Sequence, residues 1–258
     1  MLNAITRGVS PGLGNCELAY LSRQRIDVGR ADGQHRLYEQ KLVQLGVRVH
    51  SLPAQDDLPD CVFVEDPAVV LDECAVMTLG IESRRREGES LASFLTYFRT
   101  LEFLREPARL EGGDVMRVGR TLYVGDSVRT NEAGCAQLRE IISPFDYEVR
   151  AVKVNGCLHL KTGCSYLGRG VMLANSEWVD AAQFAEFELL EVPQSEPWAA
   201  NALVIGETIL LPEGFPQTRA LIERKGFHVE TLDVSELMKA EAGLTCMSII
   251  FNEADGTN

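Results

Sequence analysis

Five polar residues recur along the chain, and each is predicted to open the first strand of a hairpin. They follow one another at intervals of 42 to 48 residues. The set contains two carboxylates, an imidazole, a carboxamide and a thiol, from Asp66, Glu111, His159, Asn201 and Cys246. A thiolate can attack a carbon centre, an imidazole can transfer protons, and carboxylates can bind a cation or orient the imidazole. The spacing and the chemistry together predict covalent catalysis.

Each of these residues also has a structural interpretation when it is considered alone. Cys246 is typical of a buried core thiol, and His159 is typical of a hydrogen-bonded structural residue. Asp66 and Glu111 are also common residue types in turns and at helix caps. The functional interpretation therefore depends on the position that these residues share within a repeat.

A metal site and a cofactor site are the competing uses of such residues. Cys157, His159 and Cys164 could form a ligand cluster, but the chain has no CxxC pair and no HExxH motif. Gly12 and Gly14 lack the third glycine and the preceding strand of a dinucleotide-binding fingerprint. The sequence therefore predicts neither a metal nor a cofactor.

The segments around the five polar residues form an internal repeat. Alternating apolar residues predict short strands at 46–53, 147–154, 187–193 and 226–234. Longer strand–turn–strand segments are predicted at 62–78, 111–127, 157–176 and 199–214, with a last single strand at 244–251. Helices are predicted at 31–45, 89–101, 130–142, 178–187 and 217–225.

This repeat predicts an α/β protein of five modules that close into a ring. Closure would cover the sheet edges and direct the five polar residues toward one central channel. The last strand then has to pair with the first strand, at residues 2–7. Thr130 and Asn131 are candidates for a helix N-cap, and Gly46 and Gly226 for the residue after a helix C-terminus.

Composition limits the partners and the location of the protein. The chain has 258 residues with 25 Lys and Arg against 38 Asp and Glu, a net charge of −13. This acidic balance argues against nucleic acid and anionic membranes, and no stretch of eighteen apolar residues occurs. No linker is visible, so one domain over residues 1–258 is expected.

Two further features concern the compartment. The chain begins MLNAITRGVSPG, which lacks the basic and apolar regions of an export signal, and its seven cysteines are an odd number. We therefore expect reduced thiols and a cytoplasmic location. A homodimer is compatible with the chain, whose oligomeric state the sequence does not determine.

Two charged clusters in the sequence also contain candidate site residues. Asp60, Glu65 and Asp66 flank the apolar run 62–64, where carboxylates are costly unless they meet a cation. In ESRRREGE, at 82–89, Arg86 and Glu87 are expected to be solvated surface residues. Arginine pairs such as those available here are a common means of clamping a carboxylate.

Several motifs resemble those of the dimethylarginine dimethylaminohydrolase family, which belongs to the guanidine-modifying superfamily. The similarity extends from about Arg7 to about Phe251. It is carried by RIDVGRADGQHRLY (25–38), LPDCVFVEDPAVV (58–70), LEGGDV (110–115), SVRTN (127–131), CLHLKT (157–162), AANALV (199–204) and LTCMS (244–248). The resemblance implies a five-bladed α/β propeller, the pentein fold, in agreement with the repeat.

The resemblance also implies an activity. Family members convert dimethylarginine or monomethylarginine to citrulline and an alkylamine through a covalent cysteine thiouronium. Arginine deimination or amidino transfer, by siblings in the same superfamily, is the alternative. Dimethylarginine and monomethylarginine are thus the expected small-molecule partners.

Roles follow for the matching residues. Cys246 is expected to be the nucleophile, His159 to protonate the leaving amine and then activate water, and Glu111 to orient His159. The residues expected to bind substrate are Asp66 at the guanidinium, Phe63 and Glu65 at the methylated end, Arg84 and Arg129 at the carboxylate, and Asp60 with the backbone near Leu18 and Ala240 at the amino group. The run before Arg84 is one residue shorter than in the family, which leaves the choice between Arg84 and Arg85 open.

Overall fold

A computed structural model describes residues 1–253 of the protein, which form five three-stranded sheets. In every sheet the middle strand is antiparallel to one neighbour and parallel to the other. The strands are β1 (Leu2–Arg7), β2 (Arg48–Leu52), β3 (Ala68–Val70), β4 (Cys74–Met77), β5 (Thr100–Phe103), β6 (Val115–Val118), β7 (Thr121–Asp126), β8 (Glu148–Lys153), β9 (Cys164–Gly168), β10 (Val171–Ala174), β11 (Glu188–Glu191), β12 (Leu203–Ile205), β13 (Thr208–Pro212), β14 (His228–Leu232) and β15 (Ile249–Asn252).

Parallel strands need a crossover, and four of the five sheets use an α-helix for it. The helices are α1 (Val28–Gln44), α2 (Glu87–Leu95), α3 (Glu132–Ile142), α4 (Leu160–Gly163), α5 (Pro216–Arg224) and α6 (Ser235–Met238). Helices α1, α2, α3 and α5 connect the middle strand of a sheet to its parallel partner. The short helices α4 and α6 lie outside this pattern.

The first strands of all five hairpins surround one axial cavity of about 410 Å³. Its lining takes a residue from each of β3, β6, β9, β12 and β15, for example Val69, Met116, Tyr166, Val204 and Ile250. Five sheets that contribute to one cavity must radiate from a common axis. The prediction of a five-module α/β propeller is therefore confirmed.

The two ends of the described chain close the ring within one sheet. Strand β15 pairs antiparallel with β1, with Leu2 opposite Asn252 and Ile5 opposite Ile249. This is the predicted partner of the last strand, and the pairing covers an edge that would otherwise be open.

Local signals explain where α1 and α3 begin and end. The Asp27 carboxylate accepts the Arg30 N–H at the start of α1, and the Asn131 side chain accepts the Gly134 N–H at the start of α3. Buried residues recur at helical spacing along α1, at Ala31, His35, Tyr38 and Leu42. The predicted cap at Asn131 is thus confirmed, and α3 begins at the next residue.

Two of the predicted helices are wrong in type or extent. The segment 178–187 contains only a 3₁₀ turn, Ala181–Phe184, because the chain must enter β11 after burying the Phe184 ring. The helix predicted at 89–101 ends at Leu95, and Thr100–Phe103 is strand β5, parallel to β4. At Thr100–Phe103, pairing with the neighbouring strand β4 overrides the local helical pattern.

The five polar residues do not open their strands, which corrects a further expectation. Asp66 precedes β3 and Asn201 precedes β12, while Glu111, His159 and Cys246 lie at short helical turns before β6, β9 and β15. The segment around 62–66, predicted as a strand, consists of turns. Loop backbone gives these side chains freedom of direction that a pleated strand would deny.

No helix within residues 1–253 is long and apolar enough to cross a membrane. The expected single domain over residues 1–258 stays a prediction, and residues 254–258 lie outside the described part of the chain.

Two glycines, one within α1 and one just after its end, are expected to change the free energy of unfolding in opposite directions when each is replaced by alanine. A methyl group at Gly46 or Gly33 would meet nothing within 4 Å, so backbone conformation alone decides the effect. Gly46 follows the helix at φ 83°, and Gly46→Ala should lower the free energy of unfolding by about 1–2 kcal/mol. Gly33 lies within the helix, and Gly33→Ala should raise it by about 0.5–1 kcal/mol. Urea denaturation of both variants checks the prediction, which two changes of the same sign would contradict.

Candidate active site

Cys246, His159 and Asp66 line one small cavity of about 10 Å³. Its other lining residues are Glu17, Asp60, Phe63, Arg84, Arg129, Leu158, Ala240, Glu241 and Ala242. The large axial cavity is a different space, lined by Glu65, Lys161 and Thr245 among others. Most of the titratable residues singled out from the sequence line the small cavity, so the chemistry belongs there although the axial cavity is larger.

Glu111 lies behind His159 and does not itself line the cavity. Its Oε2 is 2.7 Å from His159 Nε2, and its carboxylate also accepts from Arg129 Nη1 at 3.1 Å. Burial lowers the pKa of His159, but the charge of Asp66 and the hydrogen bond to Glu111 outweigh it and raise that pKa to about 9. Burial acts to raise the pKa of Glu111, but His159 and the two arginines lower it well below its ordinary value. The pair is therefore an imidazolium and a carboxylate at neutral pH.

A second buried acid fixes the backbone beside His159. Asp114 Oδ1 accepts the Leu160 N–H at 2.8 Å, and its Oδ2 accepts the hydroxyls of Ser127 and Thr130 at 2.6 and 2.7 Å. Burial raises the pKa of this carboxyl group. These bonds hold the turn that carries the imidazole against the neighbouring module.

Close approach at this point requires a glycine. A Cβ on Gly113 would lie 2.6 Å from His159 Nδ1 and 2.7 Å from Asp66 Oδ1. The Gly113 N–H also donates to Asp66 Oδ1 at 3.1 Å. The GGD sequence after Glu111 therefore allows the imidazole and the Asp66 carboxylate to share one side of the site.

Arg84 neutralises two buried carboxylates at the wall of the cavity. Its Nη1 donates to Asp66 Oδ2 at 2.7 Å, and its Nη2 donates to Glu87 Oε2 at 2.8 Å. Glu87 is buried, which corrects the expectation of a solvated surface residue, whereas Arg86 is exposed as expected and pairs with Asp57. Burial raises the pKa of Glu87 to about 7 against the effect of Arg84.

Of the two arginines left open by the sequence, only Arg84 lines the cavity. Arg85 is partly exposed and pairs with Glu106. Arg84 and Arg129 both border the small cavity, each bound to an acid of the site. Their contact with a substrate carboxylate stays a prediction.

Cys246 lies in a three-residue 3₁₀ turn, Thr245–Met247. Its Sγ accepts the Gly243 N–H at 3.4 Å, and its carbonyl oxygen accepts the Glu65 N–H at 3.2 Å. Burial raises the pKa of the thiol to about 12, with a further contribution from the charges of Glu65 and Asp66. The resting group is therefore a thiol rather than a thiolate.

Asn201 attaches the turn of Cys246 to the neighbouring module. Its Nδ2 donates to the Lys161 carbonyl at 2.7 Å and to Thr245 Oγ1 at 3.0 Å, and its Oδ1 accepts the Thr245 N–H at 3.3 Å. The Thr245 hydroxyl donates to Glu65 Oε2 at 2.9 Å, and Lys161 Nζ donates to Glu65 Oε1 at 2.6 Å. Asn201, the fourth of the five repeated polar residues, thus acts beside the nucleophile and not on the wall of the small cavity.

The remaining expected binding residues divide into two groups. Asp60, Phe63 and Ala240 line the cavity, and Asp60 accepts the Glu17 N–H at 3.0 Å. Glu65 is placed on the axial cavity instead, and Leu18 packs against the hydrophobic core beside the site. The roles of Glu65 at the methylated end and of Leu18 at the substrate stay predictions.

Asp66, Glu111 and His159 could together offer ligand atoms to a metal ion, since these atoms lie within 4.8 Å of one another. Arg84 and Arg129 already supply positive charge to the two carboxylates. The cluster is therefore electrostatically balanced as an acid–base site.

Comparison with known proteins agrees with this geometry. The family model described as N,N dimethylarginine dimethylhydrolase, eukaryotic, matches residues 21–186. A Pseudomonas aeruginosa N(G),N(G)-dimethylarginine dimethylaminohydrolase is 37% identical over 228 residues, covering 87% of this chain and 90% of that protein. The Streptomyces coelicolor protein of the same name is 34% identical and covers 97% of both chains.

The chain belongs to the dimethylarginine dimethylaminohydrolase family. A solved structure agrees: a cysteine-to-serine mutant of the Pseudomonas aeruginosa enzyme, complexed with citrulline, superposes with a TM-score of 0.92 at 34% identity, covering 96% of this chain and 98% of that one. These comparisons confirm three predictions from the sequence: the family, the pentein fold and the amidine hydrolase class of enzyme.

Several residues of this family member's site escaped the sequence analysis. Leu158, Glu241 and Ala242 line the cavity, while Glu87, Asp114 and Lys161 hold charged groups around it. Leu158 lies in the motif CLHLKT and Asp114 in LEGGDV, so both could have been found from the family motifs. Glu241 lies in no such motif. Its backbone is left-handed at φ 60°, which is uncommon for glutamate and is not predicted by the residue type.

Asn201 offers a test of how the turn of the nucleophile is held. Asn201→Asp keeps the size of the side chain but places a second oxygen against the Lys161 carbonyl, so we expect unfolding to become easier by about 1–3 kcal/mol. Turnover should also slow, because the Cys246 turn loses an attachment. The exposed Asn155→Asp makes the same chemical change elsewhere and serves as the control. Urea denaturation and kcat are measured for both variants. Equal stability and equal kcat would contradict the hydrogen bonds assigned to Asn201.

Proposed function

We propose that this chain hydrolyses N-methylated arginine, as dimethylarginine or monomethylarginine, to citrulline and an alkylamine. The observation that carries the proposal is that Cys246 and His159 line one cavity with Asp66, while Glu111 supports the imidazole at 2.7 Å. A nucleophile, a proton donor and an acid able to hold a planar cation are thus present in one enclosed space.

The charge states of the resting site set the order of events. Cys246 is a thiol and His159 is protonated at neutral pH, so the imidazole is not free to accept the thiol proton. A guanidinium that enters beside Asp66 brings a positive charge close to the sulfur. An adjacent cation lowers the pKa of a thiol, so the thiolate forms as the substrate binds and the thiol proton is released to solvent.

In the first half-reaction the Cys246 sulfur attacks the guanidinium carbon, and a tetrahedral adduct forms. The C–N bond to the methylated nitrogen then breaks, and its electron pair takes the proton of the His159 imidazolium. The alkylamine leaves, and the remaining carbon is held as a thiouronium on Cys246. His159, now neutral, is ready to act as a base.

In the second half-reaction a water molecule attacks the thiouronium carbon while His159 accepts one of its protons. Collapse of this adduct breaks the C–S bond and returns the electron pair to sulfur, while the proton of the new hydroxyl group passes to sulfur as the C=O bond forms, so the thiol is restored. The product carries a urea group and is citrulline. His159 is protonated again, and Glu111 stabilises the imidazolium at both ends of the cycle.

The substrate's other groups are assigned to the walls of the cavity. Phe63 and Leu158 supply apolar surface for the methyl groups, each of which is worth about 1–3 kcal/mol of discrimination. Arg84 and Arg129 bind the carboxylate, and Asp60 with the backbone near Leu18 and Ala240 binds the amino group. The cytoplasmic location and the homodimer stay predictions; all seven cysteines of the chain are free thiols.

The function is tested by incubating the protein with dimethylarginine and measuring citrulline and dimethylamine together. Arginine is the comparison substrate, because ammonia released at an equal or higher rate would favour deimination instead. Mass spectrometry after an acid quench should find the thiouronium increment on the peptide with Cys246. Cys246→Ser should lose both the increment and the activity.

His159 is expected to matter for turnover and not for binding. His159→Ala removes the proton donor for the leaving amine, so kcat should fall by about 10²–10⁴-fold while the affinity for dimethylarginine changes little. Calorimetric titration and citrulline release measure the two quantities. His228→Ala changes an exposed histidine and is the control. Near-normal kcat in His159→Ala would remove this residue from the mechanism.

The pKa of His159 predicts the alkaline limb of activity. The value of kcat/KM should fall above about pH 9, because the deprotonated imidazole cannot protonate the leaving amine. Glu111→Gln removes a carboxylate that raises this pKa, so the limb should move to lower pH. Glu207→Gln, at an exposed turn, should leave it in place. A limb that is insensitive to Glu111→Gln would show that another group controls it.

A further inference from the structure

One segment beside the small cavity has neither helix nor strand and is largely exposed. It comprises residues 16–26, between the 3₁₀ turn Leu13–Asn15 and α1, and is called the lid segment below. Glu17 of the lid segment lines the cavity of Cys246. Leu21 lines a second, adjoining cavity together with Trp198, Met238 and Gly243.

Glu241 joins this segment to the wall of the active site. Its carboxylate accepts three consecutive backbone N–H groups of the lid segment, from Ala19 at 3.0 Å, Tyr20 at 2.6 Å and Leu21. Glu241 is buried, and it lines both the catalytic cavity and the adjoining one. A carboxylate that accepts three charge-assisted bonds holds the segment far more firmly than one neutral hydrogen bond would.

Among the described residues, the other hydrogen bonds from the lid segment to the rest of the protein lie toward its ends. Lys239 Nζ donates to the Arg25 carbonyl at 3.3 Å. The Glu17 N–H donates to Asp60, and the Asp27 N–H, just after the segment, donates to Glu236 at 2.9 Å. Arg23 donates to the carbonyls of Gly14 and Cys16, which ties the segment to its own start and not to the wall. Glu241 is therefore the attachment at the centre of the lid segment.

The size of the catalytic cavity requires part of its wall to move. A cavity of about 10 Å³ holds no more than a water molecule, whereas sites for small organic ligands occupy about 300–1,000 Å³. The neighbouring wall segment, Ala240 to Ala242, includes Glu241 with left-handed backbone at φ 60°. Such backbone is unfavourable for glutamate and persists where surrounding contacts enforce it.

We infer that Glu241 is a positioning residue that latches the lid segment over the catalytic cavity. Substrate enters when the three N–H bonds to its carboxylate break, and the lid closes when they form again. The inference rests on the proposed function in that the substrate is an arginine derivative too large for the closed cavity. The latch places Glu241 outside the chemical steps and gives it control over access to Cys246.

The test uses readouts of lid opening that do not need turnover. Glu241→Gln puts an NH₂ group against the lid N–H donors, so at least one bond is lost and an opposed donor pair results. Amide hydrogen exchange at Ala19, Tyr20 and Leu21 should accelerate at least about fivefold. Trypsin cleavage after Arg23 and Arg25, and alkylation of Cys246 by iodoacetamide in the free enzyme, should accelerate similarly.

Two further variants distinguish a latch from general destabilisation. Glu241→Asp keeps the charge with a shorter reach and should give intermediate exchange. Glu207→Gln makes the same carboxylate-to-amide change at an exposed turn and should match the wild type in every readout. Exchange in the core strands β7 and β13 should be unchanged in Glu241→Gln. The KM for dimethylarginine should rise more than kcat falls.

The outcomes separate the latch from the function. Wild-type exchange at residues 19–21 in a folded Glu241→Gln protein would overturn the latch, as would acceleration spread evenly over the core strands. A wild type that opens as described but releases no citrulline from dimethylarginine would overturn the proposed function and leave the latch in place.

Discussion

The arrangement depends on the pairing of buried charges at the end of the propeller axis. Carboxylates and guanidinium groups lose hydration when they are buried, and they are tolerated there because each meets an opposite charge or several donors. Arg84 pairs with Asp66 and Glu87, and Arg129 pairs with Glu111. Removing one partner would leave an uncompensated charge, so the site is held by mutual dependence rather than by any single bond.

The same pairing determines what the catalytic groups can do. Glu111 and Asp66 keep His159 protonated, while burial keeps Cys246 as a thiol. A resting site in this state is a good proton donor and a poor nucleophile. It becomes reactive toward a ligand that carries its own positive charge, which is how the charge distribution selects a guanidinium over neutral amides.

Enclosure is the second requirement, and the fold supplies it in two ways. The ring of five sheets surrounds the axis, and turns at the ends of the inner strands carry the reacting side chains. The remaining opening is covered by irregular backbone that a buried carboxylate holds in place. With the latch inferred for Glu241, a rigid ring and this cover would let one site exclude water during the proposed reaction and still exchange ligands.

The sequence by itself was sufficient for the fold class, the number of modules and the joining of the first and last strands, and it singled out most of the residues that line the small cavity. These follow from period-2 apolar patterns, from an interval of 42 to 48 residues and from family motifs, all of which are local or repetitive signals. Strand β5 was missed because its pairing with β4 is a long-range contact that overrides the local pattern.

Only the tertiary structure decided which neighbours share a cavity. Glu65 and Asp66 are adjacent in the chain, yet they line different cavities, and Glu87, which was expected to be a solvated surface residue, is buried against Arg84. The three lid contacts of Glu241 join residues more than two hundred positions apart. Side-chain direction at a turn and the partner of a buried charge depend on atoms that meet only when the ring closes, so no spacing along the chain encodes them.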